Sequence, residues 1–383
     1  MAWANAIDWP ILKTLNEEAG GNMNTTLLRW VGLMGILAVL AAACSSGDGR
    51  PQVGKELHIF NWDDYFAPTT LADFEKEFGI KVHLDTFADE AELLSTISSD
   101  PSRYDLFIGS DVLIGEMAEL RLLAELDLDN IPNLANIDPA YLDLTANPGN
   151  RYGIPYDWGT TGVMYNTTCI QPREESWAVL SDPRIAGRVA MDTEQSVVIG
   201  STLKRLGYSL NSDDPNELDE AVRVIQDQIG KVQLRFVPAY DARQMMKSGD
   251  LCAMQAYNGD AAYEMAENKD FAFFVPREGS DIFFDMMAIP RDAKNKAGAE
   301  LFIDYVLRPE VHAAINNYTG YATPNRVARE QGLIDQAYLS DPTIYPDTTH
   351  LEPWVIFDGQ RRALWNRAWA DVQAVVPASQ VSN

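Results

Sequence analysis

The sequence predicts an α/β protein with two domains, and three observations support this fold class. Strand-like and helix-like segments alternate along most of the chain from residue 56 onward. The segment 104–110, "YDLFIGS", is almost entirely apolar, which is typical of a strand buried on both faces of a parallel sheet. The length of 383 residues exceeds the usual size of a single hydrophobic core, so two domains are expected.

Residues 1–44 are predicted to lie outside the fold, as an N-terminal extension and a signal peptide. A segment that starts at Met23 carries one positive charge and then an apolar run, which is too short and wrongly flanked for a transmembrane helix. Small residues run directly into Cys44, as in a bacterial lipoprotein, although Leu40 lies one place earlier than is usual there. We therefore expect lipid on Cys44 and a flexible tether at residues 45–55, with cleavage without lipidation as the alternative.

A βαβαβ unit opens the remaining chain. Its predicted elements are, in order, a strand at 56–62, a helix at 68–80, a strand at 81–87, a helix at 89–99, a strand at 104–110 and a helix at 112–126. Gly79 is expected to end the first helix and Asp89 to cap the second. Right-handed crossovers bring the carboxyl ends of such parallel strands to one edge of the sheet, where open α/β sheets bind ligands.

The segment 150–168 is polar and rich in glycine before it enters a strand at 162–165, so we interpret it as a crossover into a second lobe. The predicted elements of that lobe are a strand at 187–194, helices at 196–207 and 215–229, a strand at 232–238, a helix at 242–250 and a strand at 251–260. The chain then continues through extended segments within 271–290, helices at 296–307 and 309–318 and a loop at 320–325. These crossings predict a first lobe of residues 56–158 with about 284–328, and a second lobe of residues 159–283 with about 329–383.

The composition argues against several classes of partner. Acidic residues outnumber Lys and Arg by 56 to 30, which disfavours nucleic acid and anionic membrane surfaces and is compatible with a cationic ligand. The sequence has no nucleotide-binding, serine-hydrolase or zinc-protease motif, and none of its four histidines is spaced from another like a ligand pair. We therefore expect no cofactor and no metal. In an oxidising compartment Cys169 and Cys252 can form a disulfide, but the sequence leaves their pairing open.

Acidic and aromatic residues recur together at the predicted strand ends and loops. The groups are Trp62, Asp63, Asp64 and Tyr65; Ser110 and Asp111; Asp192 and Glu194; Tyr257 and Asp260; Phe283 and Asp285; and Tyr321. Each group alone is more often a solvated acid or a core aromatic. Together they predict a pocket for an organic cation, because carboxylates pair with ammonium groups and aromatic faces bind both methylenes and cations.

Seven segments of the chain resemble the spermidine/putrescine-binding proteins of bacterial ABC importers. They are "NWDDYF", "YDLFIGS", "IPYDWGTTG", "LKRLGYS", "YNGDAAY", "AIPRDAKNKAGAELFIDYVLRPEV" and "GYATPN". The likeness covers about residues 56–345, and residues 288–325 are its most diagnostic part. It implies a two-lobed periplasmic binding-protein fold of type II-like organisation, each lobe a mostly parallel sheet flanked by helices, with the ligand in the cleft between them.

The resemblance also implies the ligand and the partners. A linear polyamine would be held in the cleft by Trp62, Asp63, Asp64, Tyr65, Ser110, Asp111, Glu194, Tyr257, Asp260, Phe283, Asp285 and Tyr321. The expected partners are ABC permease subunits, and the protein is expected to be a monomer in the periplasm, held at the membrane only by lipid on Cys44. Asp63 replaces the Thr or Ser that is frequent in the family, Tyr257 and Phe283 occupy positions that can be Trp, and Asp111 adds an acid. The preferred polyamine therefore stays open.

Three other functions remain as alternatives. A periplasmic sensor that reports polyamine to a membrane signalling protein would have the same cleft, and neighbouring permease and ATPase genes would favour transport instead. The same fold could bind another organic cation. A glycosidase that uses Asp63 or Asp64 with Glu194 is disfavoured, because the sequence has no nucleophile, metal or cofactor motif.

Overall fold

The computed structural model of the protein describes residues 53–356 and 359–377. Two β-sheets with flanking helices confirm the α/β class. The predicted signal peptide, Cys44 and most of the tether lie outside the described residues. None of the described helices has both the length and the apolar content that crossing a bilayer requires.

The described chain contains eleven strands and twelve α-helices. The strands are β1 (Glu56–Asn61), β2 (Lys81–Thr86), β3 (Leu106–Ser110), β4 (Gly153–Gly159), β5 (Thr161–Asn166), β6 (Val189–Met191), β7 (Arg235–Phe236), β8 (Ala253–Tyr257), β9 (Phe271–Phe274), β10 (Ser280–Ala288) and β11 (Leu351–Pro353). The helices are α1 (Thr70–Phe78), α2 (Glu90–Ser99), α3 (Asp111–Glu119), α4 (Gln195–Leu206), α5 (Pro215–Val232), α6 (Ala239–Ser248), α7 (Asn258–Glu267), α8 (Lys296–Val306), α9 (Pro309–Thr319), α10 (Arg326–Glu330), α11 (Gln336–Leu339) and α12 (Gly359–Gln373).

The first sheet has the order β11-β10-β3-β1-β2, and β4 also pairs with β10. Strand β1 lies parallel to β2 and β3, as the βαβαβ pattern predicts, whereas β10 runs antiparallel to β3 and β4. Alternate residues of β1 enter two different cores: Ile59 packs with Phe74 of α1 and Phe302 of α8, whereas Phe60 packs with Leu93 of α2. Both faces of the sheet are therefore covered by helices.

The second sheet has the order β7-β6-β8-β5-β9. Strand β6 lies parallel to β7 and β8, and β5 runs antiparallel to β8 and β9. A disulfide joins Cys169, which follows β5, to Cys252, which precedes β8, and this settles the pairing that the sequence left open. Trp365 of α12 is fully buried in the core of this lobe beside α5.

The chain passes between the sheets at residue 160 and at residues 275–279, and after β11 it continues into α12, which packs in the second lobe. The first two crossings lie side by side, because the Thr160 hydroxyl donates to the carbonyl of Asp281 at 2.6 Å and the Thr161 N–H donates to the Asp281 carboxylate at 2.9 Å. The lobe bounds expected from the sequence stay a prediction. The structure begins the first-sheet strand β10 at Ser280, and the last strand, β11, still belongs to the first sheet because it pairs with β10.

Several elements differ from the sequence prediction, and three of the differences have a clear cause or a bearing on the site. The helix expected at 112–126 ends at Glu119, because Arg121 adopts a left-handed φ of 57° that a helix cannot continue through. The strand expected at 251–260 ends at Tyr257, and the next three residues begin α7. Strand β4, buried along its whole length, lies where we interpreted a polar crossover.

Candidate functional site

A cavity of about 690 Å3 is lined by residues of both lobes. Loops and helix starts that follow β1, β3, β6 and β8 reach it, together with side chains of β10. The structure thus places the cavity at the strand ends where the sequence located the acidic and aromatic groups. Ten of the twelve predicted binding residues line it: Trp62, Asp63, Tyr65, Ser110, Glu194, Tyr257, Asp260, Phe283, Asp285 and Tyr321.

Asp64 and Asp111 are the two predicted residues that do not line the cavity. Asp64 occupies a turn after β1 with a left-handed φ of 54°, and its side chain is exposed. Asp111 is the first residue of α3 and is buried behind Ser110, and burial raises the pKa of its carboxyl to about 7. The acidic turn therefore reaches the cavity through Asp63 and not through Asp64, a difference that the sequence did not show.

The first acidic group of the cavity is built by pairing between strands β4 and β10. Asp285 lies opposite both Ser110 of β3 and Asp157 of β4 in the sheet. The Tyr65 hydroxyl is 2.5 Å from Oδ2 of Asp285 and 3.1 Å from Oδ1 of Asp157, so its single proton bonds one carboxylate at a time. Burial raises the pKa of Asp285 to about 7 despite that hydrogen bond, and burial together with the charge of Asp285 raises the pKa of Asp157 well above its usual range.

The second acidic group lies at the junction of β6 and α4. The backbone N–H of Glu90, in the first lobe, donates to Oε1 of Glu194, in the second lobe, at 3.2 Å. The Glu90 carboxylate in turn accepts the N–H of Ser110 at 2.9 Å. Burial and the negative charges of Glu90 and Asp192 raise the pKa of Glu194 to about 8, and burial raises that of Asp192 to about 6. Carboxylates of both lobes therefore crowd together in one cavity.

The third acidic group already holds a basic partner. Asp260 lies in the first turn of α7, and its Oδ1 is 3.1 Å from Nη1 of Arg243 on α6. Arg243 lines the cavity and is only 9% exposed. Behind it, Lys247 places its Nζ 2.8 Å from the fully buried Glu264. Burial raises the pKa of Asp260, and the opposite charge of Arg243 works against that rise.

Aromatic rings form the walls between these acidic groups. The ring of Phe283 lies edge-on to Tyr257 at 5.7 Å and to Tyr321 at 6.2 Å, and Tyr321 also lies edge-on to Tyr65 at 5.7 Å. Gly259 makes room for Tyr321, because a Cβ at this position would come within 2.5 Å of the ring. The rings offer apolar faces of the kind that bind methylene groups and cations.

Sequence reasoning missed several lining residues, namely Glu90, Glu116, Asp241, Arg243, Asp281, Trp354 and Arg362, and it did not include Asp192 among the binding residues. One pattern could have found Asp281: it precedes Phe283 and Asp285 at intervals of two, so all three side chains face the cavity from β10. Arg243 had no such pattern, because its partner Asp260 lies on another helix.

Basic side chains are scarce in this cavity. Of its lining residues, only Arg243 and Arg362 are Lys or Arg, and Arg362 lies 2.5 Å from Glu116. Among the described residues, no Lys or Arg forms an ion pair with Asp285 or Glu194. The cavity is thus suited to a positively charged molecule that supplies the missing countercharge.

Known proteins have a similar sequence and a similar fold. Residues 69–345 match the family described as bacterial extracellular solute-binding protein. The spermidine/putrescine-binding periplasmic protein of Escherichia coli K12 is 31% identical over 314 residues, which cover 82% of this chain and 89% of that protein. The putrescine-binding periplasmic protein PotF of the same organism is 30% identical over 367 residues, which cover 89% of this chain and 97% of that protein.

A solved structure extends the likeness to three dimensions. The spermidine/putrescine ABC transporter substrate-binding protein PotD from Streptococcus pneumoniae superposes with a TM-score of 0.72 and 31% identity, covering 85% of this chain and 100% of that chain. The resemblance noted in the sequence is therefore confirmed at the level of family and fold. The chain belongs to the bacterial extracellular solute-binding protein family.

Proposed function

We propose that the protein is an extracytoplasmic binding protein that captures a linear polyamine in the cavity and delivers it to an ABC permease. One observation carries the proposal: carboxylates of both lobes, among them Asp285 and Glu194, converge on an aromatic-walled cavity without an ion pair to Lys or Arg in the described chain. The names of the relatives, which are polyamine-binding periplasmic proteins, support it.

The residue types suit this ligand physically. A polyamine is a chain of ammonium groups joined by methylenes, and an ammonium that is buried without a partner costs several kcal/mol. A carboxylate at ~4 Å returns ~4 kcal/mol at an effective dielectric constant of ~20. Each aromatic face adds ~0.5–2 kcal/mol by cation–π attraction and covers methylenes as well. Carboxylates are therefore expected to bind the ammonium groups of the polyamine, while Tyr257, Phe283 and Tyr321 enclose its methylene chain.

Binding by both lobes would couple ligand capture to closure. The contact between the Glu90 N–H and Glu194 already joins the lobes across the cavity, and a ligand that touches acids of both lobes stabilises the closed form over the open one. A closed form that ligand stabilises is a shape that a permease can recognise.

The proposal is tested by calorimetric titration of the purified protein with diamines, triamines and tetramines, and with γ-aminobutyrate and arginine as comparison ligands. We expect saturable binding of at least one linear polyamine, weak binding of the two comparison ligands, and recovery of the bound amine chemically unchanged. Failure of every polyamine to bind the folded protein would contradict the proposal.

The anchoring of the protein is a separate part of the proposal. The small residues before Cys44 support lipid on that cysteine, and the periplasmic relatives support an extracytoplasmic location. Cys44→Ser is expected to release soluble protein or to leave an unprocessed precursor. Unchanged membrane retention and unchanged processing in this variant would show that the anchor is not at Cys44.

A further inference from the structure

Three acidic subsites of the cavity differ in the charge of their surroundings. The Asp285 subsite consists of Asp285, which lines the cavity, with the fully buried Asp157 next to it in the sheet, and the Glu194 subsite consists of Asp192 and Glu194. Neither has a Lys or Arg ion pair among the described residues. The Asp260 subsite differs, because Arg243 lies 3.1 Å from the Asp260 carboxylate.

Arg243 is a fixed and permanent charge at this place. The guanidinium group stays protonated in proteins at all accessible pH values. Its side chain is 9% exposed, it extends from the middle of α6, and its buried Nε–H has no hydrogen-bond partner in the described structure. A buried donor without a partner favours an acceptor nearby and disfavours another cation.

We propose that Arg243 takes the place of a ligand ammonium at Asp260 and thereby makes this cavity selective for diamines over triamines and tetramines. The inference rests on the proposed polyamine function and specifies its substrate class. Of these three subsites, the Asp285 and Glu194 subsites remain open to cations, one for each charge of a diamine. A third ammonium near Asp260 would meet the guanidinium, and like charges held close together in a partly desolvated site repel strongly.

The experiment compares the affinities of the full protein and its variants for 1,4-diaminobutane and for spermidine. Arg243→Gln removes the charge and keeps a polar side chain, so spermidine affinity should rise relative to diaminobutane affinity by about tenfold, as removal of one like-charge repulsion predicts. Arg243→Lys keeps the charge and should retain the diamine preference. Lys247→Gln is the matched control, because it removes the same charge one turn along α6 at a residue that does not line the cavity.

The outcomes separate this inference from the function on which it rests. A wild-type protein that prefers spermidine, or an Arg243→Gln variant with an unchanged ratio of affinities, overturns the role of Arg243 while polyamine binding stands. An equal change of the ratio in Lys247→Gln also overturns it, because the effect would then be a general one of charge. If neither amine binds any of the folded proteins, the polyamine function itself fails. Arg243→Met provides a second test if Arg243→Gln does not fold.

A second and independent observation lies away from the cavity, at the start of β1 and β2. His58 and His83 are register partners on these parallel strands, and Glu56 precedes His58 by two residues on the same face. The Nε2 atoms of both histidines are 4.0 Å from the Glu56 carboxylate, and the three donor atoms lie within 4.8 Å of one another. Sequence spacing could not reveal this group, because the strand register creates it.

We infer that Glu56, His58 and His83 form a surface site for a divalent transition-metal ion of the Zn2+ type. Two imidazoles and one carboxylate are a donor set that such ions prefer, at about 2.0–2.2 Å from each ligand atom. Binding requires the donor atoms to come about 1 Å closer together, because tetrahedral ligands at about 2.1 Å from an ion lie about 3.4 Å apart. The stacked rings, 11° apart in plane, must also tilt. The side chains of His58 and His83 are 43% and 46% exposed, so these rotations meet little resistance.

Titration of the metal-free protein with Zn2+ in a non-chelating buffer tests this site. We expect one saturable site, with affinity reduced at least about tenfold in both His58→Gln and His83→Gln, since each removes one of three ligands. His350→Gln, which changes an exposed histidine elsewhere, is the control and should bind as the wild type does. Equal Zn2+ binding by the wild type and both strand variants would overturn the site, as would the same loss in His350→Gln.

Discussion

The acidic residues of the cavity and those on the outer surface of the second lobe behave as two different populations. On the surface, Asp219 is 3.1 Å from Arg367 and Asp227 is 2.7 Å from Lys231, and all four groups are well exposed. In the cavity, Asp285 is buried and Glu194 is half-buried, burial raises the pKa of both, and neither has such a partner in the described chain. The formal net charge of −26 counts both populations equally, but water and salt screen only the first.

This difference indicates where a cation gains free energy on binding. An exposed carboxylate with a partner is already stabilised, so a second cation adds little to it. A buried carboxylate without a positively charged partner either keeps its proton or is ionised at a cost in free energy. A ligand ammonium placed beside it lowers that cost. The following predictions use this contrast, beginning with the largest expected effect.

The largest effect is expected from Asp285→Asn, which keeps the shape of the side chain and removes its charge. It should weaken polyamine binding by ~2–5 kcal/mol, as truncation of a buried charge pair does. Asp111→Asn is a matched control, because Asp111 is also buried with a pKa near 7 but does not line the cavity. Calorimetry on both folded variants provides the comparison, and equal losses would show that the ligand responds to the buried charge of the whole lobe and not to a contact at Asp285.

The next effect concerns pH. Burial raises the pKa of Asp285 to about 7, and burial with neighbouring negative charge raises that of Glu194 to about 8, so both carboxyls hold protons at mildly acidic pH. Polyamine affinity should rise between pH 6 and 8, by up to about tenfold per pH unit for each proton released. Titration in two buffers of different ionisation enthalpy measures the protons released, and a flat affinity with no proton release would contradict the expectation.

The same groups set the pH dependence of stability without ligand. The folded state holds these protons above about pH 4, where the unfolded chain has lost them, so their contribution to the free energy of unfolding decreases from there to about pH 8. Polyamine should therefore raise the melting temperature more at pH 8 than at pH 5.5.

A smaller effect is expected from Tyr65→Phe. The Tyr65 hydroxyl lies 2.5 Å from Asp285, and this hydrogen bond favours the ionised carboxylate. Its loss should weaken binding at pH 7 by ~1.5–3 kcal/mol, the range of a hydrogen bond to a charged group. The loss should shrink at pH 9, where Asp285 is ionised in both proteins, so a constant loss across this range would mean that the hydroxyl acts through packing or direct ligand contact.

The smallest effect is expected from Asp213→Asn on the outer surface. Asp213 is 70% exposed and lies 3.4 Å from Arg361, and it does not line the cavity. Its loss should change affinity by well under ~1 kcal/mol, and less at higher ionic strength. Titrations at two salt concentrations check this. A loss as large as that of Asp285→Asn would mean that the acidic surface as a whole attracts the ligand.

The order of the first-lobe elements could be predicted because the spacing of apolar residues in each segment indicates whether that segment is a strand or a helix. Strand β4 could not, since "GIPYDWG" contains glycine, proline and aspartate, which are unfavourable in strands. Its pairing with β10 stabilises it instead, and a register shift opposite Pro155 accommodates the missing N–H. The local sequence therefore does not predict a strand whose conformation depends on pairing with a distant segment.

The same reason limits prediction of the site. Asp285 could be identified because Phe283 lies two residues earlier on the same strand face, and both line the cavity. Asp157 and Arg243 were missed because their charged neighbours, Asp285 and Asp260, lie on other elements. Asp64 was assigned inward because a sequence motif does not show which way a turn residue points.

The disulfide between Cys169 and Cys252 restricts the unfolded chain as well as the folded one. It closes a loop with a sequence separation of 83, which contains β6, β7 and helices α4 to α6. Closing a loop of this length reduces the conformational entropy of the denatured state. In the chain-entropy model, this raises the free energy of unfolding by ~4–5 kcal/mol. The first lobe is assembled from distant segments without any such link in the described chain. Chemical reduction should therefore widen the denatured ensemble of one lobe only, which makes the second lobe the part of the protein whose folding depends on an oxidising compartment.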